Sequence, residues 1–392
     1  MAKKWTEERL NLVKSLLREG NTNSEIANIV GNVYKEKVNP KQIEKVIYNY
    51  GLSEFRKPKK QIEVEDDDVV FVKTGRKQPI TKKQVDELCK QVGAKIYNSY
   101  ERVKLIEPKV KTDNKRKPEE ISILDLSDVH MGMENEVYDA ESGKKVITYN
   151  HDICLKQVDI LKKSIHEIYN IQSKTFKLDK LVIFCLGDII TNDRIFPEQT
   201  FEIEKCVGLQ IWDAVAIWAK FFNDMLELYN KVEVVCVVGN HGRSNPTHYN
   251  EPIENNFEYF IYRTWQKQFE DSKRIKIIVP NTGRYIHQVG RWRHLVEHGH
   301  ELRGYSETAI KNQLKELFIN MGQFDVMHFG HIHQLADKRI SDKVLVKQNG
   351  CWILRDEYAF KKFKTYSIPE QHFFGCNDNR KETWKYCIDL RG

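Results

Sequence analysis

A mixed α/β body behind a small all-α domain is the fold class this sequence predicts, and three observations predict it. First, five apolar runs of strand length, at 121–126, 181–186, 232–238, 294–297 and 324–329, each lead into carboxylate, amide or imidazole groups. Those polar ends are Asp128-Val129-His130, Gly187-Asp188, Gly239-Asn240-His241, His298-Gly299-His300 and Gly330-His331-Ile332-His333. Second, stretches with helical periodicity lie between the runs, the alternation that builds α/β proteins. Third, residues 5–51 carry three short helical patterns bounded by caps.

Composition bounds the class further. The chain has 392 residues, 40% hydrophobic and 30% charged, which suits a globular protein of two or three domains. No run approaches the roughly 20 apolar residues that span a bilayer, and no leader pattern opens the chain, so no membrane is expected as a partner. The eight cysteines are scattered, with none in a C-x-x-C pair and two, Cys185 and Cys236, inside apolar runs. That pattern predicts buried thiols in a reducing compartment rather than disulfides or a zinc knuckle. Charge is unevenly placed: residues 1–118 hold 27 Lys and Arg against 17 Asp and Glu, a net of +10, on a chain of net +7. A basic front end on a slightly acidic body suits contact with a polyanion, and it also suits a solvated basic linker.

In chain order, the first helix is expected from Thr6 to Arg18, with Leu10, Val13 and Leu17 on one face and Gly20 closing it. A second follows at 24–31, capped by Ser24 or Asn23. Asn39-Pro40 opens a third, which carries Ile43, Val46, Ile47 and Tyr50 on one face and ends at Gly51. The trio resembles the helix-turn-helix class, with a longer second connection, and that resemblance implies that Lys41, Gln42 and Lys45 would face DNA. A helical protein-docking module is the competing reading. The expected domains are 1–55, helical; 56–118, a charged linker with a short strand at 69–72 and a helix at 81–96; and 119–392, the α/β body.

Within the body, helices are expected at 150–171, 203–229 (with Trp212 and Trp218 as core anchors), 252–269 and 306–320. The aromatics of the third of these, Phe257, Tyr259, Phe260, Tyr262 and Trp265, recur at helical spacing and read as core. After Gly350, short strands and irregular structure are expected. The insertions 134–148 and 191–204 have no predicted place, and Asp125 and Asp193 read as ordinary polar residues.

The five polar strand ends supply Asp128, His130, Asp188, Asn240, His298, His331 and His333, an oxygen-and-imidazole set that suits hard or borderline divalent metals. Taken in order, D-x-H, G-D, G-N-H, H and G-H-x-H resemble the calcineurin-like metallophosphoesterase superfamily. The resemblance implies a four-layer α/β fold, a two-sheet β-sandwich flanked by helices. It implies two divalent ions, Mn from the family, with Fe, Zn, Ni or Co also acceptable to these ligands. By the same resemblance, Asp188 bridges the ions; Asp128, His130 and His333 complete one site, and Asn240, His298 and His331 the other. A hydroxide between the metals would be the nucleophile, and His241 would protonate the leaving oxygen. His298 is expected as the ligand of its H-G-H, with His300 supporting it. Arg243 is a candidate to grip a phosphate, or to pair with an acid.

Ser127-Asp128-Val129-His130-Met131-Gly132 is similar to the opening of the Mre11/SbcD nuclease branch, and Asp356-Glu357-Tyr358-Ala359 to bacteriophage-encoded DNA repair exonucleases. These imply a nuclease cleaving DNA phosphodiesters, in the cytoplasm of a bacterial or phage-infected cell. Any ATPase partner would be a separate subunit, since the chain has no P-loop. The chain departs from that branch at Thr191, where a histidine follows the G-D motif, which puts double-strand exonuclease action in doubt. The alternative is a phosphatase or phosphodiesterase for small nucleotides or phosphoproteins.

Overall fold

The computed structural model describes residues 5–19, 21–55, 69–70, 80–81, 117–139, 141–196, 199–247, 251–364 and 366–391. The chain divides into two compact units, 1–93 and 94–392.

In the first unit, α1 (Glu7–Arg18), α2 (Asn23–Tyr34) and α3 (Pro40–Asn49) enclose a core of Val13, Leu17, Ile26, Val30, Ile43, Val46 and Ile47. Thr22, not Ser24 or Asn23, caps α2, and it forms a reciprocal capping box with Glu25. The helix also passes through Gly31 to Tyr34 and stops at Lys35 in left-handed conformation, φ 49°. Asn39 caps α3, and the Gln42 side chain returns to accept from the Asn39 amide at 2.8 Å. Residues 69–70 and 80–81 form a two-stranded antiparallel ladder, β1 (Val69–Val70) with β2 (Ile80–Thr81). Of the helix expected at 81–96, Thr81 belongs to β2 instead and the other positions lie outside the described residues.

The second unit holds two large sheets. β3 (Glu119–Leu126), β6 (Lys177–Cys185), β7 (Lys231–Cys236) and β8 (Ile275–Ile278) run parallel, and β14 (Glu370–Asn377) and β15 (Arg380–Asp389) add antiparallel strands beside β3. In the other sheet, β10 (Trp292–Glu297), β11 (Val326–Phe329) and β13 (Leu345–Gln348) are parallel, edged by antiparallel β9 (Arg284–Val289) and β12 (Ala336–Arg339). Three apolar clusters hold the layers. α4 (His151–Gln172), α5 (Val207–Asp224) and α6 (Phe257–Gln268) pack on one face of the first sheet through Leu161, Trp218, Phe222 and Trp265. Ile123, Val182, Phe184 and Val235 from its other face meet Val289 and Val296 of the second sheet. α7 (Glu307–Met321) covers that second sheet through Ile310, Leu314 and Leu317.

Several expectations shift. Residues 203–206 precede α5 rather than belonging to it, and Trp212 is half-buried while Trp218 is fully buried. A short 3-10 turn, Ile253–Asn255, precedes α6. Phe260 lies on the exposed side of α6. The insertion 134–148 forms the antiparallel pair β4 (Asn135–Asp139) and β5 (Lys144–Tyr149). After Gly350 the chain makes a helix, α8 (Glu357–Phe363), and two long strands rather than short irregular ones. Of the seven described cysteines, all unpaired, Cys206 and Cys387 are exposed and the rest buried. Among the described residues, no helix is long and apolar enough to cross a membrane.

Candidate active site

The polar strand ends all lie at carboxyl termini of parallel strands, where open α/β sheets place their ligand sites. Asp128 follows β3, Asp188 follows β6, Asn240 follows β7, His298 follows β10 and His331 follows β11. Backbone bonds tie these turns together: the Asp128 amide donates to the Gly187 carbonyl, that of His130 to Asp188, and that of Gly330 to His298. Five of the site residues hold left-handed backbone, Asp128 (φ 52°), His130 (52°), Asp188 (54°), His331 (71°) and His333 (57°). Non-glycine residues rarely adopt it, and such strain gathers at functional sites. Glycine is required where the turns press on the acids. A Cβ on Gly239 would lie 2.0 Å from Asp188 Oδ1, and one on Gly330 would lie 2.2 Å from Asp128 Oδ2.

The expected residues come together as overlapping clusters whose ligand atoms lie within 4.8 Å of one another. Asp128, His130 and His333 form one; Asp188, His298 and His331 another; His130, Asp188 and His241 the third. His130 Nε2 and His333 Nε2 face each other at 3.1 Å. His333 Nδ1 is bound to the Asp356 carboxylate at 2.6 Å, which turns its Nε2 toward the cluster. His298 is built alike: its Nδ1–H donates to the Leu186 carbonyl at 2.8 Å, and its Nε2 meets Asp188 Oδ2 at 3.0 Å and Asn240 Oδ1 at 2.9 Å. Carboxylate and amide oxygens and imidazole nitrogens converging in this way are the donor set a divalent cation fits.

Electrostatics follow burial and neighbours. Burial works to raise the Asp188 pKa, but the imidazoles of His298 and His241 outweigh it and hold the carboxyl well below its ordinary range. Burial works to lower His298, yet Asp188 lifts it to about 9. His331 is lowered to about 2 by burial and His298, and His300 to about 3 by the same causes.

His241 projects into the same space. Its amide donates to Asp188 Oδ1 at 2.8 Å, and its Nδ1 is 2.8 Å from the Thr191 carbonyl, which leaves Nε2 for the site. Thr191, the departure from the nuclease pattern, therefore acts through its backbone. His300 stacks obliquely near His298, ring centroids 5.5 Å apart. Arg243 is buried, and its Nε donates back to the Asn240 carbonyl at 2.9 Å, bracing the loop that carries Asn240. In the N-terminal unit, Lys41 and Lys45 are exposed, while the Gln42 carbonyl oxygen is engaged in its cap.

Sequence reasoning missed four supporting residues. Glu258 of α6 is fully buried and accepts from the amides of both Ile189, at 2.5 Å, and Gly239, at 2.6 Å, clamping two of the motif loops. Burial and Asp188 push its carboxyl up to about 7. Asn192 donates to the carbonyls of His241 and Arg243 at 2.7 and 2.9 Å. Gln199 bonds the Thr191 carbonyl and approaches His241 Nδ1 at 3.2 Å. Asp356, noted only as part of a local similarity, orients His333. His294, a neighbour of His298 in sequence, belongs elsewhere: it lies between the sheets, 2.9 Å from His328 Nε2. His328 in turn binds Asp125, fully buried and not the ordinary polar residue expected.

Over these groups opens a cleft of about 850 Å³, reached by His130, Asp188, Asn240, His241, His331 and His333. Phe196 and Phe201 stand on its wall, as do Tyr358, Lys361 and Lys362 of α8.

A family model described as calcineurin-like phosphoesterase matches residues 121–335. No curated protein matches the chain. Wild-type Vps29 complexed with Zn²⁺ from Entamoeba histolytica is 10% identical, with a TM-score of 0.31 over 69% of this chain and 99% of that one. Vps29 from Cryptosporidium parvum is 10% identical, TM-score 0.32, over 69% and 98%. A 5'-nucleotidase from Candida albicans SC5314 is 10% identical, TM-score 0.31, over 70% of this chain and 53% of that one.

Proposed function

The chain belongs to the calcineurin-like phosphoesterase family, and from that premise we propose that its site hydrolyses small phosphoesters, nucleotides among them, with two divalent cations. One observation carries the hydrolytic reading: Asp128, His130, His333, Asp188, Asn240, His298 and His331 converge in overlapping clusters, and five of them, His130, Asp188, Asn240, His331 and His333, line one cleft with His241 beside them. Asp128, His130 and His333 would hold one ion and Asn240, His298 and His331 the other, with Asp188 available to both. When bound, the ions supply charge that binds the phosphoryl oxygens and acidifies water. The remaining work falls to the chain. Asp356 and the Leu186 carbonyl fix the rings of His333 and His298 by holding their Nδ1 atoms. The Thr191 carbonyl accepts a hydrogen bond from His241 Nδ1–H, so that Nε2 is the nitrogen that would deliver a proton to the departing oxygen. His300 and Arg243 support the loops and do not reach the substrate in this reading.

The cleft favours compact substrates. Its rim carries Glu134, Glu136, Glu202 and Glu357 against Lys145, Lys361 and Lys362. Lys145 pairs with Glu136 at 3.1 Å and Lys361 with Glu357 at 2.7 Å. A long polyanion would lie against those carboxylates, whereas a single phosphoester would reach the cations past them. The test is turnover by Mn-loaded protein of a small chromogenic monoester and diester, alongside single-stranded and closed circular DNA. Small-ester turnover that Asp188→Ala abolishes supports the reading; cleavage of DNA alone overturns the substrate class.

A second reading, a DNA nuclease, draws on a different observation. Residues 1–118 carry a net charge of +10, and α3 exposes Lys41, Lys45 and Tyr48 along one side. In that reading the helical unit holds DNA. The double variant Lys41→Glu, Lys45→Glu should then weaken DNA binding and flatten its salt dependence.

A further inference from the structure

We propose that the part of the substrate beyond the phosphate is a nucleobase, and that it stacks on Phe201, with Phe196 backing it on the His241 side of the cleft. The inference rests on the reading of the site as a small-phosphoester hydrolase.

Phe201 is 89% exposed and Phe196 45% exposed, yet both line the cleft that contains the cation ligands. Large exposed apolar side chains are unremarkable when scattered, but two at the mouth of a polar site invite a ligand face. Neither is placed by packing in the core; each is held by backbone ties. The Gln199 side chain accepts from the amides of Ile195, at 2.6 Å, and Phe196, at 3.3 Å, and donates to the Thr191 carbonyl. Phe201 closes the short 3-10 turn Gln199–Phe201, whose end is fixed by the Glu202 amide on the Gln199 carbonyl at 3.0 Å. The Glu202 carbonyl then accepts from the Glu134 amide at 2.8 Å. The Gln199 side chain that approaches His241 thus also sets Phe196, while the main-chain carbonyl of Gln199 ties the turn that carries Phe201.

Phe196 approaches the His241 ring, centroids 5.2 Å apart and planes tilted by 59°. Phe196 therefore adjoins the group that faces the leaving oxygen, and Phe201 lines the same cleft. In a phosphoester of a nucleoside, the nucleoside lies next to that oxygen, which puts the base within reach of this wall. Aromatic faces hold any of the bases by stacking, since each offers a π-face. Aliphatic phosphates offer none.

The test uses methylene phosphonates, which the site cannot hydrolyse at the bridging position: that of AMP, and its counterpart lacking the base, ribose 5-phosphonate. Their affinities for the Mn-loaded protein are measured by calorimetry. The expected result is tighter binding of the AMP analogue by about five- to a hundredfold, the range of one base–aromatic stack. Phe201→Ala should erase that preference, and Phe201→Trp should keep it. Equal affinities in the unaltered protein, or a preference that survives Phe201→Ala, would overturn the inference. Lack of turnover on every phosphoester would instead strike the hydrolase reading, and the affinity ratio would still decide the stacking.

Discussion

His130 and His333 aim their Nε2 atoms at each other across 3.1 Å, and Asp356 holds His333 in that pose by its Nδ1, at 2.6 Å. Two imidazole nitrogens so close are stable together when a proton or a cation lies between them. The Asp356 contact fixes both the ring angle and the tautomer, and a carboxylate there also raises the basicity of the ligand. Asp356→Ala should therefore weaken one divalent-ion site by about ten- to a hundredfold. Calorimetric titration of Mn into chelator-stripped protein reads this directly; unchanged affinity would remove Asp356 from the site's support.

His241 is held by its backbone to Asp188 and by its ring to Thr191, with Nε2 toward the cleft. Its replacement by Ala should lower kcat on small phosphoesters by about 10²- to 10⁴-fold, the span of a lost general acid. Because His241 also falls in a cluster with His130 and Asp188, the assay must include metal content. Retained ions with lost turnover support the proton-donor role, and loss of an ion would make His241 a ligand.

Glu258 is a matter of stability. It is the acceptor for two buried amides, those of Ile189 and Gly239, and its removal strands both. Each unsatisfied buried donor costs about 1–3 kcal/mol, so Glu258→Ala should destabilise by about 2–6 kcal/mol. Urea unfolding measures the difference. A change within about 0.5 kcal/mol, typical of an inert surface site, would show that water replaces the carboxylate without loss.

Asp125 gives a pH signature. Burial, opposed by His372 and Lys347, raises its carboxyl to about 7 in the fold, well above the unfolded value of roughly 3.9. The folded state therefore holds a proton that the unfolded chain has lost between these values. Stability from this group falls as pH rises from about 4 to about 7, and is fully lost above the folded pKa. Asp125→Asn keeps an acceptor for His328 and should remove that slope. Urea midpoints at pH 5 and pH 8 should then differ less in the variant than in the unaltered protein; equal differences would contradict the assignment.

The site was legible in the sequence where its residues follow their strands within a few positions. Asp128, Asp188, Asn240, His298 and His331 are placed by local chain direction, so the strand pattern locates them. The supports were not legible in the same way, because Glu258 and Asp356 reach the site from helices far along the chain and Gln199 meets His241 only through the fold. Even so, Glu258 had a signal: it shares a helical face with Tyr262 and Trp265, both fully buried, and an acid on a core face calls for partners. Asp125 had one too, since it lies two residues from Ile123 on the side of β3 that meets the second sheet. The strand β15 was missed because it is the edge of its sheet, half-exposed and charged, which blurs the alternation. At α2, Gly31 read as a stop, yet the left-handed turn falls four residues later at Lys35.

In the proposed function this site hydrolyses phosphoesters through two divalent ions held by the residues named. The most direct measurement titrates Mn into chelator-stripped protein and follows bound ion and small-ester turnover in the same samples. Two ions should bind per chain, with turnover appearing as the second binds and absent from Asp188→Ala at every Mn concentration. Full turnover in the presence of chelator, or unaltered turnover in Asp188→Ala, would contradict it.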